Sequence, residues 1–353
     1  MFVKTPKPII RALVISTAAY LLASSLATAQ DAAPAAPPVF VKPAPITQVV
    51  TIPGTANEGS ITARYTVKAD GTTGDVEIVG GFTNPIYEGL VKDTIAAWTF
   101  TPGTVNGEAR DFLNQEHTFN IRVMEQLAIS PAVAMALEAI NAQLAAKDYS
   151  GARDAIQNVL DNEVHSVFDY ALMNQMMTAA LTGLEDPFAA LVTIRKATNS
   201  STDTAGAPQY MLTTEILQGA LKQHLMMAAA LRQQAEVQRT WTILDELYDI
   251  EATDELHQFV TAAEQQLASP DPLASLGKIV DGGWSHVPSR RIFTIADVRE
   301  GTLSKVIAHC DRRTLELEYQ ADVDWNLPAS VGDCKLDITG SDGTLFTVYE
   351  FAE

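Results

Sequence analysis

Apolar positions along this chain follow different periods in different stretches. From Ile61 to Lys68 they alternate, with Ala63, Tyr65 and Val67 on one face and Thr62, Arg64, Thr66 and Lys68 on the other. That period predicts a β-strand. Asp70-Gly71 predicts a tight turn, because glycine accepts the positive φ that such a turn needs. A second strand is expected around Asp75–Val79. From Pro85 the period becomes helical, and Tyr87, Leu90, Val91, Ile95 and Trp98 form one apolar face. Pro102-Gly103 ends that helix, Asn106-Gly107 turns the chain, and Phe112–Val123 reads as a long closing strand. The order is β-β-α-β, and Val49–Thr51 reads as a further edge strand.

From Ser130 the pattern is helical with few breaks. Ser130-Pro131 is a helix start, with serine as cap and proline in the first turn. Helices are predicted near Pro131–Ala146, Ser150–Asn162, His165–Thr182, Pro187–Ala197, Pro208–Gln233, Ala235–Ile250 and Asp254–Ala268, with no strand among them. After Gly277 the chain turns to short strands: Val306–Ala308, Thr314–Tyr319, Leu336–Thr339 and Thr344–Phe351. Leu315, Leu317 and Tyr319 alternate with polar residues as a half-exposed strand does. The expected fold class is therefore α+β in several domains. These are a small β-β-α-β domain over 48–125, a helical array over 130–269 and a β-rich unit over 277–353.

Within the first of these, Asp70 and Gly71, then Trp98, Phe100 and Pro102, then the Asn106-Gly107 turn and the closing strand stand at spacings that resemble the C-terminal domain of the TonB family of energy transducers. The resemblance covers about a fifth of the chain. It implies docking by strand addition at a sheet edge, with an outer-membrane receptor's N-terminal segment as partner. On that basis the closing strand is the expected partner edge, through Asn114, Glu116, Thr118, Asn120 and Arg122. In the helical block, Lys147–Leu160 is similar to the second half of a tetratricopeptide repeat, with Tyr149 as the aromatic of the turn and Ala152 and Ala155 as the small residues of the helix. Glu185–Thr198 echoes it about 38 residues later. Such arrays offer a groove to peptides or partner proteins.

Composition narrows the partners. The 353 residues carry a formal charge of −19 at pH 7, which excludes nucleic acid as a main partner because no basic stripe is available. Residues 1–29 read as a secretion signal: Lys4, Lys7 and Arg11, then an apolar stretch, then Ala27-Thr28-Ala29. Gln30 is then the first mature residue and the periplasm the expected location. The rival reading is an uncleaved inner-membrane anchor. A Pro/Ala-rich linker is expected over 30–47; stretched, it reaches only ~50 Å. A short linker and a signal segment without histidine argue against energy transduction. The two cysteines of an exported chain predict one disulfide, Cys310–Cys334, worth roughly 3.5 kcal/mol by loop-closure entropy.

No nucleophile, phosphate-loop or metal-protease motif is present in the sequence. The expected protein is non-enzymatic, without cofactor, and acts as an adaptor for envelope proteins. Of the six histidines, His117 shares its strand face with Leu113, Phe119 and Ile121 and reads as half-buried. A metal site between His224 and His257 is the lesser reading. Met173, Met176, Met177, Met226 and Met227 read as core or groove rather than copper ligands. Trp284, His286, Arg290, Arg291 and Trp325 carry the alternative reading, a glycan-binding surface.

Overall fold

The computed structural model describes residues 35–42, 58–82, 85–122, 127–164, 166–202, 207–248, 250, 255–321 and 323–352. The expected signal segment, the rest of the linker, the expected strand at Val49–Thr51, and Val123 lie outside them. The chain is mixed α and β, with eight helices and several small antiparallel sheets among the described residues.

The first part runs β1 (Val39–Lys42), β2 (Gly59–Val67), β3 (Thr73–Phe82), α1 (Pro85–Ala96), β4 (Thr99–Thr101), β5 (Thr104–Val105), β6 (Glu108–Ala109) and β7 (Phe112–Ile121). One sheet has the order β3-β2-β7, all antiparallel. The alternation read in β2 is real: Ile61, Ala63, Tyr65 and Val67 are buried against Tyr87, Val91 and Ile95 of α1. Each large apolar side chain so buried contributes about 1.5–3 kcal/mol. Part of the expected free linker is instead a strand: β1 pairs with β4, and Phe40 packs 4.8 Å from the Trp98 ring and 4.3 Å from that of Phe100.

The residues behind the family resemblance meet at one place. Gly71 has φ +83°, and a Cβ there would lie 2.2 Å from the Phe100 carbonyl oxygen and 3.6 Å from Pro102. The Phe100 N–H donates to the Gly71 carbonyl at 2.9 Å. Asp70 folds the turn by accepting from the N–H and hydroxyl of Thr72 at 2.9 and 2.6 Å. Asn106 and Gly107, both at positive φ, join β5 to β6.

The middle part is α2 (Pro131–Ala145), α3 (Tyr149–Asn162), α4 (Val167–Gly183), α5 (Pro187–Thr198), β8 (Ser200–Thr202), β9 (Pro208–Tyr210), α6 (Thr214–Ala230), α7 (Gln234–Tyr248) and α8 (Leu256–Ala268). Each helix packs on the next, and α2 also touches α4 as α6 touches α8. Three of the turns are built alike. Lys147, Glu185 and Arg232 each take positive φ at a helix end. The next residue's N–H (Asp148, Asp186 or Gln233) donates back to the carbonyl of Gln143, Leu181 or Ala228. Tyr149 lies against the face of Gly183, where a Cβ would meet its ring at 2.4 Å. The expectation of an unbroken helix from Pro208 is corrected. Pro208–Tyr210 pairs with Ser200–Thr202, and the helix starts only at Thr214. Each of these two segments is held as a strand by its pairing with the other.

The last part holds β10 (Leu273–Lys278), β11 (Gly283–His286), β12 (Ile292–Arg299), β13 (Leu303–Cys310), β14 (Thr314–Leu317), β15 (Trp325–Asn326), β16 (Cys334–Gly340) and β17 (Leu345–Phe351). They form two four-stranded antiparallel sheets, ordered β10-β17-β12-β15 and β11-β16-β13-β14, around one apolar core. Cys310 and Cys334 sit opposite each other on β13 and β16 and are disulfide-bonded. Four strands of this part escaped the sequence reading, among them the two-residue β15. Leu273–Lys278, Gly283–His286 and Ile292–Arg299 are interrupted by Gly, Ser, His or charge, and their pairing partners lie far along the chain.

Gly71→Ala should destabilise the protein by about 2–3 kcal/mol, since it adds both strain and a clash. Gly107→Ala should cost only about 1 kcal/mol, because it has positive φ but nothing within 4 Å of its Cβ position. Urea unfolding of both variants measures this. Equal losses would mean that turn strain, not close approach, is what makes Gly71 necessary.

Candidate functional site: a cleft where three cores meet

A cleft of about 490 Å³ opens where the three cores come together. Helices α5, α6 and α7 supply Arg195, His224, Glu236 and Arg239; β7 supplies Glu116; the sandwich supplies Ser285, His286 and Lys335. A second, more polar hollow continues from it along β2 and β3, past Arg64 and Asp337.

The helical wall is organised by a buried carboxylate. Glu236, in the first turn of α7, accepts from Arg195 Nε at 2.7 Å, from Arg195 Nη2, and from His224 Nε2 at 2.7 Å. Burial by itself raises the Glu236 carboxyl, but these hydrogen bonds and charges outweigh it and hold it well below the usual carboxylate range. The Thr198 hydroxyl donates to the Ile194 carbonyl at 2.8 Å, and its oxygen lies 2.9 Å from His224 Nδ1. Both His224 ring nitrogens thus have partners within the protein. His257 is elsewhere, edge-on to Trp241 at 4.5 Å, and no group of three metal-binding side chains occurs among the described residues.

The opposite wall is an ion network joining the first sheet to the sandwich. Arg64 Nη2 and Lys335 Nζ hold Glu116 at 2.8 and 3.2 Å. Asp337 accepts from Ser285 at 2.6 Å, and His309 lies 3.2 Å away. Burial raises the Asp337 carboxyl, but His309, Ser285 and Lys335 more than offset this and bring it down to about 2.

The structure finds other tasks for the residues expected to form a docking edge. Asn114 donates to the Cys310 carbonyl at 2.7 Å, Thr118 bonds Thr62 at 2.9 Å, and Asn120 donates to the Gln209 carbonyl at 3.0 Å. Arg122 donates to the Tyr210 carbonyl, and Glu116 belongs to the ion network above. The Leu113 N–H also donates to the Asp311 carbonyl. The outer flank of β7 is thus taken up by β8–β9 at one end and by the sandwich at the other. The open edge of this sheet is β3, which makes no backbone hydrogen bond on its outer side among the described residues.

The residues marked for glycan are likewise engaged. Trp284 is buried, stacked on His286 at 5.1 Å, and Trp325 packs on Phe293 at 5.4 Å. His286 Nε2 and the buried Glu350 are 2.7 Å apart. Arg290 reaches carbonyls at the end of α8, and Arg291 donates to the Gly332 carbonyl at 3.1 Å. Met173 and Met177 are core, whereas Met226 is 45% exposed. Sequence reasoning missed Arg195, Gln233, Glu236 and Arg239, whose only signal was polar residues on otherwise apolar helix faces. No family model matches the chain, and no curated protein matches it. Among the described residues no helix is long and apolar enough to cross a membrane.

His117 sits edge-on to Trp98 at 5.0 Å and to Phe119 at 4.7 Å, and burial pushes its imidazole down to about 4 from the ordinary 6.5. The unfolded chain therefore takes up the proton first. Stability present above pH 6.5 is lost as pH falls towards 4, by on the order of 3 kcal/mol from this residue. His117→Leu should flatten that part of the curve, as urea unfolding at pH 7 and pH 4.5 would measure; an unchanged slope would exclude His117 as its source.

Proposed function

We propose that this protein is an exported, non-catalytic adaptor of the bacterial cell envelope. Its first unit is of the TonB C-terminal kind and its helical pairs are tetratricopeptide-like. Three things support the reading: the β-β-α-β order packed on one helix, the three turns of identical hydrogen bonding, and the disulfide, which suits an oxidising compartment. The observation that carries it is the open β3 edge. Asp75, Glu77, Val79 and Gly80 are exposed along it, and Gly81 at φ +132° lets its backbone run close to Ser60. Such an edge accepts an extended segment by backbone hydrogen bonding. The partner in this reading is an extended segment of another envelope protein, such as the N-terminal segment of an outer-membrane receptor. Docking is thereby assigned to β3 rather than to β7.

A photo-crosslinking residue at Val79 should give a discrete adduct with an envelope protein in native cells, while the same residue at exposed Glu138 on α2 gives none. Absence of any Val79 adduct would remove β3 as the docking edge. The mature protein should begin at Gln30 and fractionate with the periplasm; a retained Met1 in the inner-membrane fraction would favour a membrane-anchored transducer instead.

A further inference from the structure

The cleft has more hydrogen-bond donors than the chain can use. Arg195 spends Nε and Nη2 on Glu236 and Gln233, and its Nη1 makes no bond among the described residues. Arg239, one turn further along α7, lines the cleft and has neither an ion pair nor a side-chain hydrogen bond among them. Gln233 is 1% exposed; its Oε1 accepts from Arg195 at 2.7 Å, which fixes the orientation of the amide, and its Nε2 is buried without a partner. Both lining carboxylates are already partnered, Glu236 by Arg195 and His224 and Glu116 by Arg64 and Lys335. In a chain of net charge −19, this cleft still gathers Arg195, Arg239 and Lys335.

The helical repeat makes Gln233 stand out. At the two matching turns Asp148 and Asp186 cap the following helix, accepting from Gly151 at 3.0 Å and Ala189 at 3.1 Å. Gln233 occupies the same place in the third turn, but its side-chain oxygen goes to Arg195. The cap, ordinarily worth about 1 kcal/mol, gives way to a polar arrangement facing the cleft. The lining also includes the aliphatic side chains of Leu221, Ile243 and Val287.

We propose that this cleft is a binding site for a small organic anion with a carboxylate head and a short aliphatic body. The carboxylate brings acceptor oxygens to Arg239 and Arg195, for which guanidinium is the matching donor. The body lies on Leu221, Ile243 and Val287, in a volume within the usual range for small-molecule sites. Because the walls come from all three cores, occupancy ties the cores together. This inference goes beyond the adaptor reading and does not depend on the β3 edge.

Isothermal titration of the full mature protein with hexanoate tests it, with hexanol and inorganic phosphate as comparison probes. Hexanoate should saturate one site and raise the unfolding temperature, hexanol should not bind, and phosphate should bind at least about tenfold more weakly. Arg239→Gln should weaken hexanoate by about tenfold or more while leaving the ligand-free unfolding temperature unchanged, as expected for an exposed residue without partners. Ile243→Ser should weaken hexanoate and leave phosphate unaffected. No saturable hexanoate binding, equal binding of hexanol or phosphate, or full affinity in Arg239→Gln would each overturn the proposal.

Discussion

Strand β7 has partners on both faces, one buried and one partly exposed, and much of the molecule follows from that. One face carries His117, Phe119 and Ile121 into the core shared with α1. The other carries Asn114, Glu116, Thr118, Asn120 and Arg122, which are polar and need partners once covered. Glu116 receives two cations from different parts of the chain, Arg64 of β2 and Lys335 of β16. Arg64 is only 13% exposed at its side chain, so removing Glu116 would strand a largely desolvated guanidinium. The ion network acts less as a source of net stability than as a lock on how sheet and sandwich meet, since only one arrangement satisfies every charge.

The helical array is joined to the sandwich by backbone as well as side chains. The Leu276 N–H donates to the Leu231 carbonyl at 3.0 Å, just where α6 turns into α7, and Ser275 reaches the Arg232 carbonyl at 3.2 Å. Lys278 pairs with Asp186 at 2.8 Å at the preceding turn of the same kind. The repeated turns are thus used twice, once to pair helices and once to seat β10. Arg290 adds a cation at the C-terminal end of α8, where unpaired carbonyls and the helix dipole favour it. The cleft is the space left between these joints, and its wall inherits residues from each.

Elements whose periodicity is local could be read directly. The faces of β2 and α1 and the cap at Ser130 required only neighbours a few residues away. The Ser200–Thr202 and Pro208–Tyr210 pair could not be read, because neither segment has an apolar face of its own and each is stabilised by the other and by β7. The same holds for Gly283–His286, whose strand partner is Cys334–Gly340. In the cleft the obstacle was different. Arg195 and Glu236 carry no local signal of their pairing, and only the packing of α5 on α6 and of α6 on α7 brings them into one cluster.

By itself the sequence determined which segments are helix and which are strand wherever a single period ran for two turns or more. It determined the glycine turns at Gly71 and Gly107, because only glycine relieves their backbone, and the pairing of the two cysteines, because there was no other choice. Tertiary structure alone decided that β7 meets β8–β9 and the sandwich while β3 makes no outer backbone hydrogen bond among the described residues, and that part of the linker is a strand on Phe100. It also decided that three unrelated surfaces share a cleft with donors to spare. The reason is physical: periodicity records whether a face will be buried, whereas the identity of what buries it depends on contacts between residues far apart in sequence, which leave no pattern in either partner.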